Sequence, residues 1–252
     1  MSDLFWLTDA QMARLEPFFP KSHGKQRVDD RRVLSGIIFI NRNGLRWRDA
    51  PKEYGPHKTL YNRWKRWSEK GVFAQIMMGL AAEHSEEKTV MIDATYLKAH
   101  RTATSMGVKK GGRGRLIGRT KGGMNTKLHA VCDSQGRPIS FFVTAGQVSD
   151  YIGARALLSS LPSVEWLLGD RGYDADWFRE ALHDKGIRPC IPGRKSRAKA
   201  VRYDKRRYKR RNRIEIMFGR LKDWRRVATR YDRCPKVFLS AIALAATVIY
   251  WL

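Results

Sequence analysis

The sequence predicts an α/β protein: a mixed sheet flanked by helices, preceded by a small all-α region. Three observations carry this. Up to about residue 84, apolar residues recur at helical spacing. From Lys88 onward, short runs rich in β-branched and aromatic residues alternate with helical stretches. After the last such run, Arg207 to Arg226 forms a basic stretch in which Ile214, Met217, Phe218 and Leu221 recur at three- and four-residue steps. A chain of 252 residues can bury one larger domain and one smaller one. The expected division is 1–84 and 85–252.

Each element has a local reason. Thr8 with Gln11 makes a capping box before QMARLEPFF, and Pro20 closes that helix. Asp29 or Asp30 starts RRVLSGIIFINRN, and Gly44 ends it. In HKTLYNRWKRWSEKG, Leu60, Trp64 and Trp67 share one face while Arg63, Lys65 and Arg66 are expected to point away from it. Helix, connector and basic helix form a helix-turn-helix-like arrangement in which those three cations would meet DNA; a small helical bundle with solvated charges is the alternative. TVMIDATYL is a strand with Asp93 in its middle, on the side of Met91 and Thr95. MNTKLHAVCD, the SQGR turn and PISFFVTAG make a hairpin. VSDYIGARALLSSL is a helix, VEWLLGD a strand ending on Asp170, DADWFREALHDKG a helix and IRPCIPG a strand. Strand, hairpin pair, helix, strand, helix, strand, helix is the order of a ribonuclease-H-like fold.

Charge narrows the partners. Lys and Arg number 50 against 24 Asp and Glu, a net charge of +26. That excess predicts a polyanion, with nucleic acid first. An anionic membrane fits less well, because the cations are spread over several segments. Residues 98–123 hold Lys109, Lys110 and Arg113 among eight Lys and Arg with no acid, a loop suited to ordering on phosphates. Cys132, Cys190 and Cys234 are odd in number and lack a CxxC pair, which suits a reducing cytoplasm. No signal peptide is read at the start, and the apolar run from Phe238 is short for a membrane span, so a buried closing helix is expected.

Three acids stand at positions that chemistry would use: Asp93 within a strand, Asp170 at the end of another, and Glu215 on the basic helix. In the expected topology the two strands are neighbours and the helix packs across them, so the acids converge. Three carboxylates with room for water suit Mg²⁺, with Mn²⁺ as a substitute, and in-line phosphoryl transfer. On the helix Tyr208, Arg211, Glu215 and Lys222 fall within a stripe about 60° wide over about 21 Å. A salt-bridged basic helix explains the same spacing, a structural ion pair could account for Asp93, and a turn cap for Asp170. Asp174 and Asp176 read as caps of the next helix, and Asp150 as capping or preceding the helix of Ile152 to Leu161. His100 and His129 have no partners for a zinc cluster.

The spacing Tyr208-x2-Arg211-x3-Glu215-x6-Lys222 resembles the Tyr-Arg-Glu-Lys signature of DDE-type bacterial insertion-sequence transposases. MIDATYLKAHRTA and LLGDRGYDADWFREAL are similar to the blocks that hold that family's two aspartates. LRWRDAPKEYGPHKTLYNRWKRW resembles the helical region of its insertion-sequence-five branch. The resemblance spans nearly the whole chain. It implies that Asp93, Asp170 and Glu215 are the metal-binding catalytic set and that Tyr208, Arg211 and Lys222 hold DNA backbone. It also implies Mg²⁺-dependent cleavage at terminal inverted repeats, joining of the 3′-hydroxyl to target DNA, and a homodimer or larger synapse. The short spacing from Asp170 to Glu215 leaves no room for the β-rich insertion that some relatives use to shape a hairpin intermediate. A DNA-binding protein that does not cut, and a nuclease that does not join strands, are the alternative readings.

Overall fold

Capping chemistry places the N-terminal helices where the sequence puts them. Thr8 and Gln11 form the capping box ahead of α1 (Asp9–Leu15). The Asp29 carboxylate accepts the Arg32 N–H at 3.1 Å to start α2 (Asp30–Asn43), and Gly44 ends it at φ 71°, a conformation only glycine adopts freely. α3 (His57–Glu69) follows a connector holding two 3₁₀ turns, and Gly71 at φ 73° leads into α4 (Val72–Ala82). The structure is a computed structural model that describes residues 3–21, 28–83, 88–105, 114–197 and 199–252.

After β1 (Thr89–Ala99) come α5 (Arg101–Thr104), β2 (Gly118–Thr120), β3 (Gly123–Asp133) and β4 (Pro138–Ala145). Then follow α6 (Asp150–Leu158), β5 (Trp166–Leu168), α7 (Asp176–Asp184), β6 (Arg188–Cys190), α8 (Lys205–Tyr208) and α9 (Asn212–Lys222). The chain closes with α10 (Arg225–Ala228), β7 (Thr229–Arg230) and α11 (Pro235–Ala246). The sheet runs β4-β3-β1-β5-β6, with β4, β3 and β1 antiparallel and β1, β5 and β6 parallel. This is the ribonuclease-H-like order. Met91 pairs with Leu168, so Asp170, two residues past that pair at the exit of β5, follows the strand beside Asp93, which stays within β1.

The pleat of β1 divides two cores. Val90 and Ile92 pack with Val131, Leu157, Phe178 and Leu182, beneath α6 and α7. Met91 faces the opposite core, built from α2, α3, α4, α9 and α11 together with β-strand residues. The N-terminal helices therefore bury their apolar faces against the same α11 that covers the sheet. Phe238, Ala241, Ile242 and Ala245 of α11 are fully buried. Burial of a Phe or Ile side chain is worth about 1.5–3 kcal/mol.

Three local expectations are corrected. The stretch 207–226 is not one helix: a 3₁₀ turn at Lys209–Arg211 separates α8 from α9, and α9 ends at Lys222. Trp224, extended at φ −81° and ψ 111°, breaks it so that its indole can enter the core. Arg63 does not point outward; its side chain is 4% exposed, paired with Asp30 and laid over the Trp67 ring at 5.0 Å. Asp174 and Asp176 are not caps of α7, whose cap residue is Ala175. Asp174 is instead a buried acceptor for Arg179, Arg197 and the Arg194 N–H, and these partners pull its carboxyl below the usual range against the cost of burial.

Candidate active site

Odd-numbered side chains of β1 meet the basic helical stretch one after another. Arg207 reaches Thr89 Oγ1 at 3.4 Å, Arg211 Nη1 donates to Asp93 Oδ2 at 2.9 Å, and Lys222 Nζ donates to Thr95 Oγ1 at 2.7 Å. Arg211 Nη2 also donates to Glu215 Oε1 at 2.9 Å, so one guanidinium joins the strand acid to the helix acid. The Tyr208 ring lies 6.0 Å from the Arg211 guanidinium carbon. The stripe read from the sequence is thus laid along the strand that carries Asp93.

The two acids joined by Arg211 differ in setting. The Glu215 side chain is 59% exposed and that of Asp93 only 14%. Burial pushes the Asp93 carboxyl up to about 6, against the pull of Arg211 and the Ala94 N–H. The charges of Asp170 and Glu215 add to that rise, which places all three acids within one field. Asp170 stands at the exit of β5, where its Oδ1 accepts the Gly172 N–H at 2.8 Å and caps the turn Arg171–Tyr173. A turn-capping role for Asp170 is therefore present alongside its place beside Asp93.

Among the described residues, no three His, Cys, Asp or Glu side chains stand close enough to chelate one cation. Arg211 accounts for this on the helix side, since its guanidinium occupies the interval between Asp93 and Glu215. In kind, the donor set fits a divalent cation: hard carboxylate oxygens, one of them buried and held above its ordinary pKa. Gly172 packs tightly beneath Asp170: a Cβ there would stand 2.8 Å from Asp170 Oδ1 and 3.4 Å from Asp150 Oδ2, so no larger residue fits without moving the Asp170 carboxylate.

Asp150 was not legible as a neighbour of this site. It is the first residue of α6, with Ser149 at the cap position, and its Oδ1 accepts from Lys127 Nζ at 3.1 Å. Lys127 is a buried cation within β3; a lysine amid apolar strand residues was the available signal. His129 is fully buried with Nε2 2.9 Å from Thr144 Oγ1, and burial holds it down to about 4. His100 Nδ1 accepts the Thr102 N–H at the start of α5 and its ring packs on Tyr231. Of the cations expected on DNA, Lys65 and Arg66 are exposed on α3 and Arg63 is not. Lys109, Lys110 and Arg113 lie outside the described residues.

Residues 84–251 match the family described as "Transposase DDE domain". The chain belongs to the DDE transposase family. Residues 7–77 match a second family, "Putative transposase of IS4/5 family". The transposase is 36% identical over 128 residues to the "Putative transposase for insertion sequence element IS6501" of Brucella ovis, covering 50% of this chain and 98% of that one. It is 28% identical over 156 residues to the corresponding protein of element IS402 of Burkholderia cepacia, covering 54% of this chain and 72% of the other. Its fold is similar to the piggyBac transposase in a synaptic complex with hairpin DNA, at a TM-score of 0.50 and 9% identity over 94% of this chain and 68% of that one. The protein is a DNA transposase, and membership of the family implies use of a divalent metal. Among the described residues no helix is long and apolar enough to cross a membrane.

Proposed function

We propose that Asp93, Asp170 and Glu215 are the catalytic carboxylates with which this transposase cuts at terminal inverted repeats and joins the freed 3′-hydroxyl to target DNA. The observation that carries the reading is the fork of Arg211, which ties Asp93 and Glu215 into one site beside Asp170. A divalent cation, Mg²⁺ or Mn²⁺ in its place, held by the three acids would activate the attacking hydroxyl and neutralise the leaving oxygen. Arg211 keeps Asp93 and Glu215 oriented, and with Tyr208 and Lys222 it offers a row of donors to the backbone of the transposon end. Exposed Lys65 and Arg66 on α3 add phosphate contacts from the N-terminal region, residues 1–84, which would hold the end while residues 85–252 do the chemistry. Two ends must meet, so the working form is a homodimer or a larger synapse, in the bacterial cytoplasm.

The test is a joining assay with linear DNA that carries the inverted repeats flanking this gene, a labelled donor end and a plasmid target. Metal-dependent transfer of label to the plasmid is the expected result. Cuts at the repeat boundary without joined product would assign a nuclease, and repeat-specific binding without cuts a non-cutting DNA-binding protein.

A further inference from the structure

Across the sheet from α9, helices α6 and α7 leave an aromatic cleft open beside the turn that Asp170 caps. Tyr151, Ile152, Arg155 and Leu158 of α6 and Trp177 of α7 line it, and its volume is about 430 Å³. No acid is among the described residues that line it. Trp177 is 39% exposed and Ile152 54%. The Tyr151 and Trp177 rings stand edge to face with centroids 6.5 Å apart, so two aromatic side chains share one wall.

Arg194 ties this cleft to the candidate active site. Its guanidinium lies over the Tyr151 ring at 4.6 Å, while Nη2 donates to the Gly172 carbonyl at 3.2 Å and Nε to the Arg171 carbonyl at 3.3 Å. Both carbonyls belong to the turn that follows Asp170. The aromatic wall is thereby held against the residues that carry one of the three acids.

Chemistry selects the occupant. Aromatic rings beside guanidiniums fit a nucleotide, with the base stacked on a ring and the phosphate on Arg155. A duplex hides its base faces within the stack, so only an unpaired nucleotide can use both. A second copy of this chain, itself at +26, would bring cations toward Arg155 and Arg194, whereas a DNA strand brings phosphates. Position selects the strand. Tyr208, Arg211 and Lys222 take the transposon end on the α9 side, so a strand that crosses the carboxylates leaves over the turn after Asp170, toward α6 and α7.

We infer that the cleft between Tyr151 and Trp177 is a subsite for an unpaired nucleotide of the flanking DNA, on the 3′ side of the bond to be cut. The inference rests on the reading of Asp93, Asp170 and Glu215 as the carboxylates at that bond.

Fluorescence anisotropy of the full-length protein without metal, so that nothing is cut, tests this with a labelled repeat end that carries a short 3′ tail past the repeat boundary. One tail has thymine bases; the other is abasic and keeps the same phosphates. Wild type should bind the thymine tail about five- to a hundredfold more tightly, the range for one base stacked on an aromatic side chain. Trp177→Ala should remove most of that preference and Trp177→Phe retain it, and both should bind the abasic tail as wild type does. Tyr151→Ala should reduce the preference too, and Arg155→Gln should weaken both tails by the same factor. No preference in wild type, or one that survives in both Trp177→Ala and Tyr151→Ala, would overturn the subsite. A wild-type dimer that Trp177→Ala splits on sedimentation, with the preference intact, would give the cleft to a second copy and overturn it as well. Ordinary cleavage by Glu215→Gln with Mg²⁺, alongside a thymine preference that Trp177→Ala abolishes, would reject the carboxylate reading and keep the stacking site.

Discussion

Arg63 and Arg211 look alike in sequence and end in opposite circumstances. Each lies in a basic, amphipathic helical stretch, and each meets an aspartate of a neighbouring element, Asp30 on α2 and Asp93 on β1. Around Arg63 the pair is closed: the guanidinium is buried, with the Trp67 ring against it. Around Arg211 the pair stays open, because its second partner is Glu215, more than half exposed. The same ion pair thus serves as a staple where aromatic residues seal it, and as part of a site where an exposed carboxylate extends it to solvent. Helical position alone does not distinguish the two. What lies on the neighbouring element does.

Breaking the sealed pair should have the larger effect on stability. Arg63→Met leaves the Asp30 carboxylate without the buried guanidinium, a change that costs about 3 kcal/mol. Thermal unfolding should fall by about 6–12 °C for a chain of this size, with repeat-specific DNA affinity of the folded fraction unchanged. A drop of DNA affinity with no loss of stability would place Arg63 at the interface after all.

The open pair should respond in the other direction. An aspartate held at about 6 instead of 3.8 binds its proton more tightly in the folded chain, so the folded state loses stability as pH rises between those values. Asp93→Asn removes that loss. The metal-free variant should match wild type near pH 4, then gain on it up to about pH 6 and hold a lead of up to about 3 kcal/mol at higher pH. Urea unfolding at several pH values checks this; a variant less stable than wild type at pH 7 would mean that the Arg211 contact outweighs burial.

The smallest effect belongs to the exposed cations of α3. Lys65→Ala or Arg66→Ala should leave stability within about 0.5 kcal/mol. Each should reduce the salt dependence of DNA binding by about one unit of slope. Unaltered slopes would remove α3 from the DNA-contacting surface.

Much of the fold was legible because its signals are local. The capping box at Thr8, the glycine after α2, the turn between β3 and β4 and the alternation around Asp93 each act within a few residues. Asp93 and Asp170 were legible as acids at strand positions, and their register needed only the order of strands. What escaped depends on distant partners. Arg63 turns inward because Asp30, thirty-three residues earlier, meets it. Asp174 looks like a helix cap until Arg194 and Arg197 close over it. The break at Trp224 follows from the core's demand for its indole, and Asp150 approaches Asp170 only once α6 packs beside the turn after β5.

The most direct test of the central claim is cleavage at the repeat boundary by wild type and Glu215→Gln with Mg²⁺ at one salt concentration, with DNA binding measured on the same samples. The account predicts equal binding and a loss of cleavage of about a thousandfold or more, the scale on which losing one member of a catalytic set acts. Ordinary cleavage by Glu215→Gln would contradict it, since the acid held by Arg211 beside Asp93 would then have no part in the chemistry.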